Sequence, residues 1–183
     1  IGGNTCNGVT SADSASTLHA YDAIMEITGP DGVRTVPIHD FYISAGKVDL
    51  KHGELLTSIL IKKESYENYY GHYIKYAMRN AMDIATTGCS ANVKLSDDKK
   101  TIVSARIAYG VAAPVPIRAK SAEEFLNGKE ATAENIAAFA KKALDDVNPR
   151  TSWRASKELR LQLIEELSKR AMTEAVRLAG GEI

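Results

Sequence analysis

Two adjacent glycines open the chain, and they are where chemistry is first legible. In "IGGNTCNGVTSADS", Gly2 and Gly3 lack side chains, so main-chain N–H groups there can approach an anion closely, and both residues can adopt positive φ. Asn4 adds a side-chain donor, and a helix starting after Ser11 would add its positive end. The spacing is neither a Walker loop nor a G-x-G-x-x-G fingerprint, and an ordinary tight turn also explains it. The remaining chemistry-bearing residues are sparse. His19, His39, His52 and His72 are scattered, and Cys6 and Cys89 are far apart, with no CxxC or HExxH spacing. No metal ligand set and no catalytic acid or base is identified. Arg118 after "VAAPVPI", and Arg154 and Arg160 in "SWRASKELR", lack a catalytic partner at useful spacing and read as structural ion pairs or subunit contacts. Asp83 in "AMDIA" reads as a buried hydrogen-bonding residue.

Composition narrows the class. The chain has 183 residues, enough for one domain or two small ones, and its 44% apolar content is that of a globular protein. Lys+Arg and Asp+Glu both number 23, so no basic field draws it to nucleic acid or anionic lipid. No apolar run reaches membrane-spanning length. Two cysteines suit free thiols in a reducing, cytoplasmic setting.

The elements that must position the glycines follow. "SADSASTLHA" predicts a short helix, "YDAIMEIT" a strand, "GPDG" a turn, "VRTVPI" the returning strand and "ELLTSILIKK" another strand. "KESYENYYGH" has no clear period and is predicted as a loop between subdomains. "SANVKLS" and "TIVSARIAYGV" alternate, predicting a hairpin with one buried face: Cys89, Ala91, Val93 and Leu95 opposite Val103, Ala105, Ile107, Tyr109 and Val111. Ser121 and Glu124 predict a capping box. Ile136, Phe139, Ala140, Ala143, Leu144 and Val147 line one face of a helix from Thr132, ended by Pro149. A last helix, 155–179, would bury Leu159, Leu163, Leu167, Ala171 and Ala175, with Gly180 and Gly181 at its end. Strands precede helices, so the class is α+β.

The motifs gain meaning in their order. "IGGNTCNGVTSADS", "GELLTSILI", "YIKYAMRNAMDIAT", "AYGVAAPVPIR" and "SWRASKELR" run along the chain in a sequence that resembles the flavin-binding subunits and middle domains of the molybdenum hydroxylases. Within that family it resembles the separate FAD subunit of bacterial xanthine dehydrogenases, related to the CO dehydrogenase medium subunit. The resemblance covers residues 1–183, and "IGGN…SAD" and "KYAMRNAMDIAT" are its more specific motifs. It implies the C-terminal half of a PCMH-type FAD-binding domain over 1–65. A CO dehydrogenase flavoprotein C-terminal-like domain, an antiparallel sheet on a helical cluster, is implied over 70–183. In the family FAD lies between two glycine-rich loops. This chain would start inside the second, TIGGN-like one, so the resemblance implies the C-terminal portion of a longer protein.

Site residues transfer one by one. Ile1, Gly2, Gly3 and Asn4 match the second flavin loop, whose backbone meets the cofactor. Asp13 matches an Asp that hydrogen-bonds the cofactor, Leu56 an apolar residue lining the flavin, and Lys75 a Lys near the isoalloxazine ring. Tyr73 matches an aromatic residue that covers a ring face in some relatives. On residue type alone Asp13 serves equally as an N-cap, Leu56 as core, Lys75 as a solvated lysine and Tyr73 as packing between subdomains.

The resemblance implies an electron-transfer subunit. A molybdenum-binding partner would hydroxylate a purine, an iron–sulfur partner with two [2Fe–2S] clusters would relay the electrons, and FAD here would pass them to NAD. Two alternatives stand beside it. One is a non-catalytic module holding the other subunits together. The other is the flavin subunit of a hydroxylase for CO, nicotinate or aldehydes.

Overall fold

The computed structural model describes residues 1–183. The first helix, α1 (Gly2–Cys6), is followed by α2 (Ala15–Ala20) and the hairpin β1 (Ile24–Gly29) and β2 (Gly32–Pro37). Next come a single turn α3 (Ile38–Phe41), the short strands β3 (Tyr42–Ser44) and β4 (Lys47–Val48), β5 (Leu55–Leu60) and the turn α4 (Lys63–Tyr66). The second part holds β6 (Tyr70–Tyr76), β7 (Thr87–Leu95), β8 (Ile102–Gly110) and β9 (Ile117–Arg118). The helices α5 (Lys120–Leu126) and α6 (Ala133–Lys142), a 3₁₀ turn (Ala143–Asp146) and α7 (Lys157–Leu178) complete the chain.

Two antiparallel sheets organise these elements, one ordered β2-β1-β5 and the other β6-β7-β8-β9, with β3 and β4 pairing separately. Each sheet has its own core. Met25, Ile27, Ile38 and Phe41 are fully buried around the first. Ile107, Tyr109, Ile136, Phe139, Ile164 and Met172 are fully buried between the second sheet and α5–α7. Burial of each such side chain contributes roughly 1.5–3 kcal/mol. No helix is long and apolar enough to cross a membrane.

The "GPDG" turn, the β1–β2 pair, β5 and the β7–β8 hairpin form where the sequence predicts them. Four expectations need correction. "KESYENYYGH" is not all loop, because α4 takes Lys63–Tyr66 and β6 begins at Tyr70, pairing with β7 in full register, Tyr70 against Val93 through Tyr76 against Thr87. Its mixture of Tyr, His, Gly and Lys suits an edge strand and leaves no clean alternation to detect.

The β7–β8 hairpin is buried on both faces. Cys89, Ala91 and Val93 face the helices, while Ser90 and Asn92 are covered from the other side by α2, where Asn92 Nδ2 donates to Ala20 O at 3.2 Å. A register shift next to Leu95 pairs it with Ile102, so Ile102 is buried and Val103 is 49% exposed.

The cap of α5 is not Ser121 with Glu124. Ser121 Oγ donates to Asp146 at 2.6 Å, and the neighbouring Glu123 is the buried acid, accepting the Ile107 amide at 2.9 Å and a forked pair of bonds from Arg118.

Finally, the first turns of α7 are rotated from the predicted stripe, whose Leu167, Ala171 and Ala175 are buried as expected. Leu159 is 41% exposed, and the inner face is Arg160, Ile164, Leu167, Ser168, Ala171, Met172, Ala175 and Val176. Arg160 sets this rotation: its guanidinium donates to Thr86 O at 3.2 Å, Ala155 O at 3.1 Å, Ser152 Oγ at 2.9 Å and Arg150 O.

Candidate functional site

The glycines are helical rather than looped. Gly2 and Gly3 form the first turn of α1, closed by Thr5 N–H on Ile1 O at 3.0 Å and by the Thr5 hydroxyl on the same oxygen at 3.2 Å. The expected positive φ is absent there and falls instead at Gly8, φ 69°. Buried Thr5 anchors the turn, which explains the difference. The first-turn amides still have no partner within the helix. A Cβ on Gly2 or Gly3 would meet nothing within 4 Å, so this bare backbone faces open space.

Asn4 uses its side chain as an acceptor: Oδ1 takes the Ser14 amide at 3.1 Å and the Ser14 hydroxyl at 2.6 Å. That bond ties α1 to the start of α2. Ser14 is the N-cap residue of α2, which frees Asp13 from the capping role. Asp13 Oδ2 instead accepts from Lys75 Nζ at 2.9 Å, an ion pair spanning the two sheet units.

Lys75 lies on β6, and its ammonium also donates to Asp83 O at 2.6 Å. It lines a cleft of about 240 Å³ together with Ala77 and Arg79–Asp83. That loop is shaped by Asp83, whose carboxylate accepts the amides of Arg79 at 3.0 Å and Ile84 at 2.9 Å. These amide bonds, outweighing partial desolvation, hold the Asp83 carboxyl below its usual range.

Tyr73, two residues before Lys75 on the same strand face, is half-buried over Gly88, where an added Cβ would come within 3.3 Å of the phenol oxygen. Burial first, and the Asp13 carboxylate second, push its phenol well above the usual tyrosine value, so it stays a neutral donor. Leu56 is half-buried on β5 against the first core, opposite Ile27, on a strand that α1 touches.

The structure brings part of the predicted set together: Asn4 bonds Ser14, the neighbour of Asp13, and Asp13 pairs with Lys75. Tyr73 stands two residues before Lys75 on β6, and Leu56 sits on β5 in the other sheet. Sequence reasoning missed Asp22, although it lies in the same segment. Its Oδ1 accepts from His39 Nε2 at 2.8 Å and from Arg118, and its Oδ2 is 3.4 Å from Arg106. Asp22 follows α2 with φ 49°, and no spacing motif announces it.

Fold comparison gives the class first. The chain superposes on quinoline 2-oxidoreductase from Pseudomonas putida 86 with a TM-score of 0.87 and 27% identity, over 97% of this chain and 60% of that one. Carbon monoxide dehydrogenase from Hydrogenophaga pseudoflava gives 0.87 and 27% over the same shares. The chain shares its α+β architecture with chains of both oxidoreductases. Residues 72–175 match the CO dehydrogenase flavoprotein C-terminal domain, and the chain belongs to that family. Residues 1–62 match the FAD binding domain in molybdopterin dehydrogenase. Among curated relatives, the xanthine dehydrogenase FAD-binding subunit of Escherichia coli O157:H7 is 46% identical over 182 residues, all of this chain and 62% of the relative. The carbon monoxide dehydrogenase medium chain of Hydrogenophaga pseudoflava is 27% identical over 175 residues, 96% of this chain and 60% of the relative. The chain thus spans about three fifths of the length of the relatives it matches.

Proposed function

We propose that this chain is part of an FAD-binding electron-transfer subunit of a xanthine dehydrogenase-type molybdenum hydroxylase. Residues 1–65 would form the second subdomain of the FAD-binding domain and residues 70–183 the CO dehydrogenase flavoprotein C-terminal-like domain. The observation that carries the reading is the meeting of Asp13 with Lys75, beside Tyr73 and one bonded step from the side-chain-free turn of α1.

The residues present suit an anionic ligand with a flat ring. Gly2, Gly3 and Asn4 offer first-turn amides in open space, with Ile1 at their edge. Lys75 offers a cation whose partner, Asp13, is itself half-exposed and exchangeable. Tyr73 offers a ring face and a neutral hydroxyl, and Leu56 an apolar wall. Held by these residues, FAD would supply two-electron redox chemistry between [2Fe–2S] clusters and NAD. The chain's own work is to bind the cofactor, exclude water from one side of it and stabilise negative charge near Lys75. The partners on this reading are an iron–sulfur subunit and a subunit carrying the molybdenum cofactor, in the cytoplasm. Xanthine is favoured over CO or quinoline as the complex's substrate because identity to the xanthine dehydrogenase subunit is 46%, against 27% for the others.

The test is to purify the native protein with whatever co-purifies, record its flavin absorbance, and assay xanthine oxidation with NAD. A yellow complex that reduces NAD with xanthine supports the reading. A colourless protein that takes up no added FAD returns the chain to the role of a non-catalytic interaction module.

A further inference from the structure

Two carboxylates bracket α2 and fasten it to the four-stranded sheet at both ends. Asp13, before the helix, reaches β6 through Lys75 at 2.9 Å. Asp22, after it, reaches β8 through Arg106 and β9 through Arg118. The helix body lies across β7 and β8.

The two fastenings differ in kind. At the Asp13 end the side chains are 51% and 29% exposed, and the ion pair is a single bond. At the Asp22 end Asp22 itself is 35% exposed, but the arginines it meets are only 7% and 12% exposed. Arg118 is also forked onto buried Glu123 at 2.7 and 2.6 Å, and Glu123 holds the Ile107 amide at 2.9 Å. Arg106 donates further to Ser65 O at 3.2 Å and to Ala20 O at 3.4 Å, and Asn92 takes the same Ala20 carbonyl at 3.2 Å. The last turn of α2 is thereby fixed to two strands. Asp22 sits at φ 49°, a left-handed conformation that a non-glycine residue keeps only where its surroundings over-determine it.

We propose that Asp22 is the positioning residue of the cleft: it pins the far end of α2 to the sheet so that Asp13 meets Lys75, and it acts on a ligand only through that pair. The consequence for FAD rests on the flavin reading above. Removing the Asp22 carboxylate takes a partner from two nearly buried guanidiniums, whereas the Asp13–Lys75 pair is open to solvent and its loss leaves both groups hydrated. The Asp22 end therefore holds the frame in which Asp13 orients the Lys75 ammonium for a ligand.

The experiment is a double-mutant cycle in the full-length protein, combining Asp22→Asn with Lys75→Met and reading FAD affinity by flavin fluorescence. Asp22→Asn keeps the shape and removes the charge. It should weaken FAD binding about tenfold in the wild-type background, the scale of a typical coupling between sites. In the Lys75→Met background the same substitution should change affinity less than about twofold. Equal losses in both backgrounds, or no loss in either, overturn the proposal. A second readout needs no flavin. In ligand-free protein, Asp22→Asn should raise the rate at which an amine reagent labels Lys75 several-fold, and an unchanged rate overturns the positioning role. If the wild-type protein takes no FAD, the flavin reading fails and the labelling rate alone decides. Should Asp22→Asn not fold, His39→Gln removes a single partner of Asp22 and is read the same way, with proportionally smaller shifts.

Discussion

Lys75 Nζ lies 2.9 Å from Asp13 Oδ2, joining an edge strand of the four-stranded sheet to the segment that leads into α2. The pair is separated by 62 positions in sequence, and its geometry depends on the packing of both sheet units. It is exposed enough to contribute only about 0–1 kcal/mol to stability. Lys75→Met should therefore leave the thermal midpoint nearly unchanged. It should move the midpoint potential of bound flavin negative by roughly 30 mV or more, about 1.4 kcal/mol for a two-electron couple. Spectroelectrochemical titration checks this, and an unaltered potential removes Lys75 from the flavin's surroundings.

Arg160 is the opposite case. It is 2% exposed, and its guanidinium has no carboxylate partner. Burial, and then the nearby Arg150 and Arg154, lower its pKa. The side chain serves as a fourfold donor, stitching the loop before α7 to Thr86 at the start of β7. Arg160→Met would leave the Thr86, Ala155 and Arg150 carbonyls without these donors and should cost about 3 kcal/mol or more. Urea unfolding should show a lower midpoint at constant slope. A loss below about 1 kcal/mol would mean that water replaces the side chain at those carbonyls.

These two residues mark what sequence could and could not reveal. The hairpins, the helix from Thr132 and the helical C-terminal cluster follow from local alternation and helical periodicity, while the Thr132 cap, which accepts the Asn135 amide at 3.2 Å, is seen only in the structure. The candidate site residues come from a resemblance carried by the order of short motifs, and the structure pairs two of them, Asp13 and Lys75. What local pattern could not supply was anything decided across the chain. The second covered face of β7 depends on α2, the rotation of α7 depends on Arg160, and β6 is a strand because β7 pairs with it. Asp22 belongs to that group too, since its partners lie 17, 84 and 96 positions away.

His19 gives the fold a predicted acid sensitivity. Its ring lies on the buried face of α2, Nδ1 donates to Ala15 O at 2.7 Å, and His39 lies edge-on at 5.1 Å. Burial is the main cause that lowers its pKa to about 4 from an ordinary 6.5. Between those values the unfolded chain binds a proton that the folded chain refuses, so stability falls as pH drops from 6.5 towards 4. The loss from this residue is on the order of 3 kcal/mol once both states are protonated. Denaturant midpoints across that range should decline for the wild type. They should decline less for His19→Gln, whose amide can still donate to the Ala15 carbonyl. Parallel slopes for the two proteins would assign the acid lability to another group.

The glycines at the chain's opening separate a ligand requirement from a folding requirement. Gly8 has φ 69°, and an added Cβ would lie 2.8 Å from Lys47 N and 2.9 Å from Gly46 C, backbone atoms that cannot step aside. Gly8→Ala should cost more than about 1 kcal/mol and loosen the contact in which Gly46 N–H donates to Gly8 O. Gly3 is different, because it is helical and its Cβ direction is empty. Gly3→Ala should leave stability unchanged or raise it by about 0.5–1 kcal/mol, since alanine loses less backbone entropy in a helix. If the main chain of this turn meets the cofactor, the same methyl group occupies the space the ligand needs, and FAD affinity should fall about tenfold or more while the melting temperature holds or rises. Stability is read by thermal melts of ligand-free protein and affinity by fluorescence titration of FAD. A Gly3→Ala protein that binds FAD as tightly as wild type would place the cofactor away from α1 and leave the Lys75 cleft to be explained without it.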